Sequence, residues 1–175
     1  AKETAKEVIE SGKYSLLPRY EDLWKEATCG DDTEHILALN HTIVGSSNYG
    51  ISYMAMEENA GAWSDYLADS CFYERYPEYT RKVFNFVTKF GEGKRAKDFK
   101  VSEMRSPAIN KYRDYGGIEP LSAQTSGITP IYRYADVLLI YAEAQNKADK
   151  GPDALAYQCI NQIRNRPEEL NLLPD

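Results

Sequence analysis

The chain has two histidines, His35 and His41, and any imidazole chemistry would have to come from them. They stand in EHILALNHTIV, residues 34–44, a β-branched and aliphatic run that reads as a strand. Their spacing puts both rings on one face, but about 20 Å of extended backbone separates them. That distance is too long for direct pairing or shared metal ligation, and with no third His and no Cys nearby neither a metal site nor a nucleophilic triad is expected. Cys29, Cys71 and Cys159 lie far apart with no CxxC spacing, and read as buried small apolar residues rather than as zinc ligands or a disulfide framework. Gly91-Glu92-Gly93-Lys94 lacks the full phosphate-cradling pattern and reads as an exposed turn. The adjacent carboxylates Asp31-Asp32, Glu57-Glu58 and Glu168-Glu169 are the residue types of glycoside hydrolysis. Each pair sits in a polar setting, however, and reads as solvated charge. No catalytic residue and no cofactor is assigned. Asn40-His41-Thr42 matches a glycosylation sequon on the expected strand, where we assign it no role.

The chemistry that remains is non-covalent. Residues 45–65 are rich in Gly, Ser, Asn and aromatics and carry no clean period. An irregular segment of that length in a folded chain is usually functional or disordered, and its aromatic content argues against disorder. Sugar rings have apolar CH faces on which flat aromatic rings stack, while their hydroxyls meet amides and carboxylates. Trp63, Tyr49, Tyr53 and Tyr66, with Asn59 and Asp65, supply both kinds of group and form the candidate ligand-binding set. The plain alternative for Trp63 and the tyrosines is that they plug the loop onto a helical core.

Composition narrows the classes further. There are 14 Tyr against 5 Phe and 2 Trp, which favours half-wet aromatic surface over a purely apolar interior. With 21 basic and 27 acidic side chains the net charge is −6, which gives no electrostatic footprint for nucleic acid. No apolar run approaches the ~18–20 residues a membrane-spanning helix needs. The 42% apolar and 27% charged content is that of a globular chain, and 175 residues can enclose a core.

The elements that would position these groups are mostly helical. Ala1, Ala5, Val8 and Ile9 form one stripe that Gly12 ends. A second short helix is expected after Pro18, with Tyr20, Leu23, Trp24 and Ala27 inward. Residues 66–76 are expected to form a short helix closed by Pro77, and residues 83–90 (VFNFVTKF) alternate as a strand. The strongest signal is near the end. Thr129 is expected to cap a helix with Pro130 in its first turn, running from Ile131 to Ala148 with Tyr134, Val137, Leu138, Tyr141, Ala142 and Gln145 on one face. After Gly151-Pro152-Asp153, a second helix from Ala154 to Arg166 turns Leu155, Cys159, Ile160 and Ile163 inward. The two make an antiparallel hairpin similar to one tetratricopeptide unit. Arg133, Asp136, Glu143, Asn161 and Arg164 lie on or beside its apolar faces. Buried charge must be paired, so these five are expected to form a structural network.

This hairpin carries a family resemblance. Arg133, Ala135-Asp136-Val137-Leu138-Leu139, Tyr141-Ala142-Glu143-Ala144 and Asn161-Gln162-Ile163-Arg164 resemble the signature of the SusD/RagB family of outer-membrane nutrient-binding lipoproteins. The opening AKETAKEVIESGKYSLLPRYEDLW, the pairs Asp65-Tyr66, Phe72-Tyr73 and Arg81-Lys82, and Lys111-Tyr112-Arg113-Asp114 follow the same family in order. Thr80 and Pro167 depart from its usual pattern. The resemblance implies a mainly α fold: tetratricopeptide-like hairpins with an irregular, loop-rich insertion containing short β-strands. It implies a single domain, seen here as an internal or truncated fragment. Residues 1–44 would be a helical hairpin and strand, 45–128 the variable binding region and 129–167 the tetratricopeptide-like hairpin. It further implies a non-catalytic protein that holds glycans at the cell surface and passes them to a SusC-like TonB-dependent transporter. Such a protein would be anchored in the outer membrane only through a lipid outside this segment. A helical-repeat adaptor binding protein or peptide, and a glycoside hydrolase fragment, are the rival readings. A concave helical ligand face would favour the first, and two carboxylates facing each other across a cleft the second.

Overall fold

The computed structural model describes residues 1–24, 28, 33–41, 66–78, 80–86, 89–90, 97–98, 107, 109 and 127–166. Among them, helices dominate and the β structure is two small antiparallel pairs and an isolated bridge between Phe86 and Ile109. Helix α1 spans Lys2–Glu10, and a single 3-10 turn covers Tyr20–Leu23. Strand β1 is His35–Leu39. The short helices α2 (Ser70–Arg75) and α3 (Thr80–Asn85) follow, then β2 (Lys89–Phe90) and β3 (Lys97–Asp98), which pair with each other. Strand β4 (Thr129–Arg133) runs straight into α4 (Tyr134–Ala148), and α5 (Ala154–Arg164) closes the set.

The core is built by α1, α4 and α5. Tyr134, Leu138, Tyr141, Ala142 and Gln145 all fall on one buried stripe of α4, as a 3.6-residue period requires. Leu138 is fully buried, as is Cys159 on the facing side of α5, while Ala5 of α1 and Ala156 of α5 let the backbones approach. Burial pushes the Cys159 thiol above its ordinary range, as expected of a packing residue rather than a nucleophile. The hairpin turn is capped chemically. Lys150 takes the left-handed conformation at φ 58°, and the Asp153 carboxylate accepts from the Ala156 N–H at 2.7 Å. The Tyr141 hydroxyl reaches across and donates to the same carboxylate at 2.8 Å. Burial, and then that bond, push the Tyr141 phenol up to about 12. Gly12, at φ +62°, ends the α1 region as its position in the sequence suggests.

Five local expectations are corrected. Cys71, on α2, is exposed rather than buried. Residues 129–133 are a strand, not the first turn of a helix. Their Thr-Pro start signal is overridden by pairing with β1, in which Pro130 faces Ala38 and Thr129 faces Leu39. Helix α4 instead begins at Tyr134, where the Asp136 carboxylate accepts from the Arg133 N–H at 2.7 Å. The stretch 83–90 is not one strand, since α3 occupies its first half. There Lys82 is held by Glu78 one turn earlier and sits 4.6 Å from the centre of the Tyr73 ring. The apparent alternation arises because Phe84 meets Tyr20 while Phe86 meets the aromatics of α2. The helix expected after Pro18 is only the 3-10 turn, although Tyr20, Leu23 and Trp24 are buried as its stripe required. The last helix stops at Arg164, which leaves Arg166 outside it and free to turn inward.

Candidate functional site

Of the candidate ligand-binding set, Tyr49, Tyr53, Asn59, Trp63 and Asp65 lie outside the described residues. Tyr66 is within them and is 64% exposed, with its ring presented to solvent. What the structure describes is the residues on either side of that segment. At the near end, β1 pairs antiparallel with β4, His35 facing Arg133 and Leu37 facing Tyr132. His41, just past the end of β1, has its Nε2 2.9 Å from the Thr129 hydroxyl oxygen, which tethers the strand ends to each other. At the far end, the Ala68 N–H donates to the Pro107 carbonyl at 2.9 Å, and Asp69 caps α2 by accepting from the Phe72 N–H at 2.7 Å.

Helix α2 displays aromatics. Phe72 is half exposed and packs edge-to-face on Tyr76 and on buried Phe86, with ring centres 5.4 and 6.4 Å away. Tyr73 and Tyr76, half-buried, pack edge-to-face on the same Phe86 ring.

Beneath β1 lies a charged cluster. The Glu34 carboxylate has no solvent exposure. Its Oε1 accepts from Arg133 Nη1 at 3.1 Å and from Arg166 Nη2 at 2.7 Å, and its Oε2 accepts from the Leu17 N–H at 2.8 Å. The Glu34 carbonyl accepts from the Tyr134 N–H at 2.8 Å, and Arg166 Nη1 donates to the Leu17 carbonyl at 2.9 Å. Aromatic faces line the cluster: Arg166 lies 5.8 Å from the Tyr20 ring centre, Arg81 lies 5.0 Å from the same ring, and Arg133 lies 5.8 Å from Trp24. Burial raises the Tyr20 phenol above its ordinary range, while the Arg133 and Arg81 guanidiniums pull it back. Arg81 also donates to the Ile163 carbonyl at 2.8 Å, joining α3 to α5. Charge buried to this degree persists only when hydrogen-bonded on several sides.

The five residues expected to form a network divide. Arg133 joins this cluster and Asp136 caps α4 through the Arg133 backbone. Glu143, Asn161 and Arg164 are exposed, and Glu143 pairs with Lys147 one turn along α4 instead. The Lys147 ammonium holds the Glu143 carboxyl below its usual range. Sequence reasoning passed over Glu34 and Arg166. One signal was available for Glu34, which is an acid opening an otherwise apolar strand. Arg166 offered none, since it stands in a polar run near the end of the chain. Among the described residues, no group of three His, Cys, Asp or Glu is close enough to hold a metal ion.

This architecture matches known proteins. Residues 70–168, more than half of the chain, match the model of the SusD family, and the chain belongs to that family. Among solved structures, a SusD superfamily protein from Parabacteroides distasonis shares 24% identity with a TM-score of 0.74, over 94% of this chain and 37% of that one. A SusD-like carbohydrate-binding protein from Bacteroides fragilis shares 18% identity with a TM-score of 0.73, over 99% of this chain and 41% of that one. Surface glycan-binding protein A from Bacteroides thetaiotaomicron, solved with laminarihexaose, shares 17% identity with a TM-score of 0.66, over 98% of this chain and 43% of that one. The chain thus spans about two-fifths of the length of these relatives. No curated protein matches it. The fold is the mainly helical, tetratricopeptide-like arrangement of the family, with two small two-stranded sheets among the described residues.

Proposed function

We propose that this chain takes part in non-catalytic binding of a glycan at the bacterial cell surface, for delivery to a SusC-like TonB-dependent transporter in the outer membrane. The observation that supports the reading best is membership of the SusD family, joined to the fold shared with a surface glycan-binding protein solved with laminarihexaose. The proposed contact surface is the aromatic segment: Trp63, Tyr49, Tyr53 and Tyr66 as stacking platforms, with Asn59 and Asp65 meeting sugar hydroxyls. Stacking needs only a flat ring and an apolar sugar face, so such a site works without a metal, a cofactor or a reacting carboxylate. A lipid anchor outside residues 1–175 would hold the protein at the membrane, with the site facing outward.

Affinity electrophoresis of the parent protein and Trp63→Ala through gels containing a β-glucan or a xyloglucan tests this. The parent is retarded by one of them; the variant runs freely, with its melting temperature nearly unchanged. If Trp63→Ala unfolds the protein instead, the ring is packing and the stacking assignment fails.

A further inference from the structure

We propose that Glu34 is a positioning residue for glycan binding: it pins the register of β1 against β4 and so sets where the aromatic segment leaves the fold. The inference rests on the glycan reading above. The β1–β4 pair is poorly specified by its own side chains. Leu37, Leu39 and Tyr132 are 50%, 53% and 55% exposed, and Ile36 and Ala38 on the other face of β1 are only half-buried, so burial of an apolar face selects the pairing weakly. The ladder is also irregular, with register shifts between His35 and Leu37 and again between Leu37 and Ala38. A two-stranded ladder of this kind is marginal by itself.

Glu34 supplies what the ladder lacks. It stands directly before the His35–Arg133 pair and grips the β4–α4 junction twice, through its carbonyl on the Tyr134 N–H and its carboxylate on the Arg133 guanidinium. The same carboxylate binds Arg166 beyond α5 and the Leu17 backbone N–H beyond α1. The strand is thereby referenced to both ends of the helical core. A slip of one residue would draw a fully buried carboxylate away from both guanidiniums, leaving unpaired charge in the interior. Charge therefore selects the register that the apolar pattern leaves open. The residues immediately after β1 lead into the aromatic segment, so the register of β1 decides where that segment starts.

Two readouts on the full-length protein test this. In the first, Leu37→Cys with Tyr132→Cys reports register, because opposed positions of an antiparallel pair lie about 4.5–5.5 Å apart at Cα, within disulfide reach. Peptide mapping finds this disulfide in an otherwise parental background. Adding Glu34→Gln should deplete it, and Glu34→Asp, which keeps the charge one methylene shorter, should give an intermediate yield. In the second, Glu34→Gln should weaken binding of laminarihexaose or xylogluco-oligosaccharide about tenfold, while the helical circular dichroism stays at the parental level. If Glu34→Gln does not fold, Glu34→Asp carries both arms. Undiminished crosslinking, unchanged affinity, or loss of helix in step with binding each overturns the proposal. A parent protein that binds neither oligosaccharide overturns the glycan reading instead, and the crosslinking arm still decides the role of Glu34 in register.

Discussion

The helical core and the junction beneath β1 are held together by opposite means. Helices α1, α4 and α5 meet through apolar side chains around Leu138 and Cys159, and the polar contacts at their hairpin, Tyr141 to Asp153 and Gln145 to the Gly151 carbonyl, stay within that hairpin. The junction meets through Glu34, Arg133 and Arg166, with Tyr20 and Trp24 as its walls and backbone groups of Leu17 as its floor. Apolar packing is tolerant: a lost methylene leaves a void that neighbours partly fill. A buried ion cluster is not, since removal of one member strands the charge of another. The comparison teaches that this chain uses tolerant packing for bulk and intolerant charge for alignment.

The sharpest way to break the contrast is to delete one partner of the cluster. Arg166→Ala should cost about 4 kcal/mol, read as a fall in the urea midpoint, whereas the joint replacement of Glu34, Arg133 and Arg166 by apolar residues should cost much less. If the triple variant is as unstable as the single one, the cluster does not behave as a charge-compensated unit.

Core truncation comes next. Leu138→Ala should cost about 3 kcal/mol through lost burial and the cavity left behind. Leu138→Met, which conserves volume, should cost less than about 1.5 kcal/mol. Equal losses for the two would mean that this position tolerates no reshaping, against the view of the helices as the forgiving region.

A smaller effect belongs to the hairpin cap. Tyr141→Phe removes one hydrogen bond in a buried setting and should cost about 1 kcal/mol. It also carries a pH signature. The folded-state phenol is pushed up to about 12 from an ordinary value of 10.0. The associated stability is therefore complete below pH 10 and lost as pH rises towards 12. Asp153 behaves in the opposite sense. Its carboxyl is held low by the Ala156 N–H and then by the Tyr141 hydroxyl. Its contribution is present above the ordinary value of 3.8 and lost as pH falls through the lower folded value. Melting curves of the parent against Tyr141→Phe across pH 9 to 12 should converge only at the alkaline end. Parallel curves would remove Tyr141 from the alkaline transition.

The smallest effect is expected at the surface pair between Lys2 and Asp149, whose charged atoms are 2.9 Å apart at the ends of α1 and α4. Asp149→Asn should lower the melting temperature barely, and the difference should vanish in high salt. A loss that persists in salt would make this pair part of the α1–α4 packing rather than a solvated contact.

Much of the helical region is legible in the sequence. The stripe Tyr134, Leu138, Tyr141, Ala142 and Gln145 follows from period alone, and Gly151-Pro152-Asp153 marks the turn, because both are local properties of backbone geometry. The same locality explains the misses. Thr129-Pro130 carries an excellent helix-start signal, yet β1, ninety residues earlier in the chain, claims that stretch as a strand. Phe84 and Phe86 imitate a strand because their rings go to two separate aromatic groups, a division no alternation pattern reveals. In the candidate site, Tyr66, expected as a stacking residue, is exposed. Glu34 and Arg166 were passed over, since nothing near either residue says that the other will meet it.

The sequence by itself determined the helical core, the net acidic charge and the family signature around Arg133–Ala144. Each is written in residue type and short spacing, which act over a few turns. Only the tertiary structure decided that residues 129–133 extend rather than coil, that Arg166 turns inward, and that one carboxylate gathers groups from positions 17, 133, 134 and 166. A buried charge is stable only where all of its partners converge. That convergence belongs to the folded chain as a whole and to no segment of it.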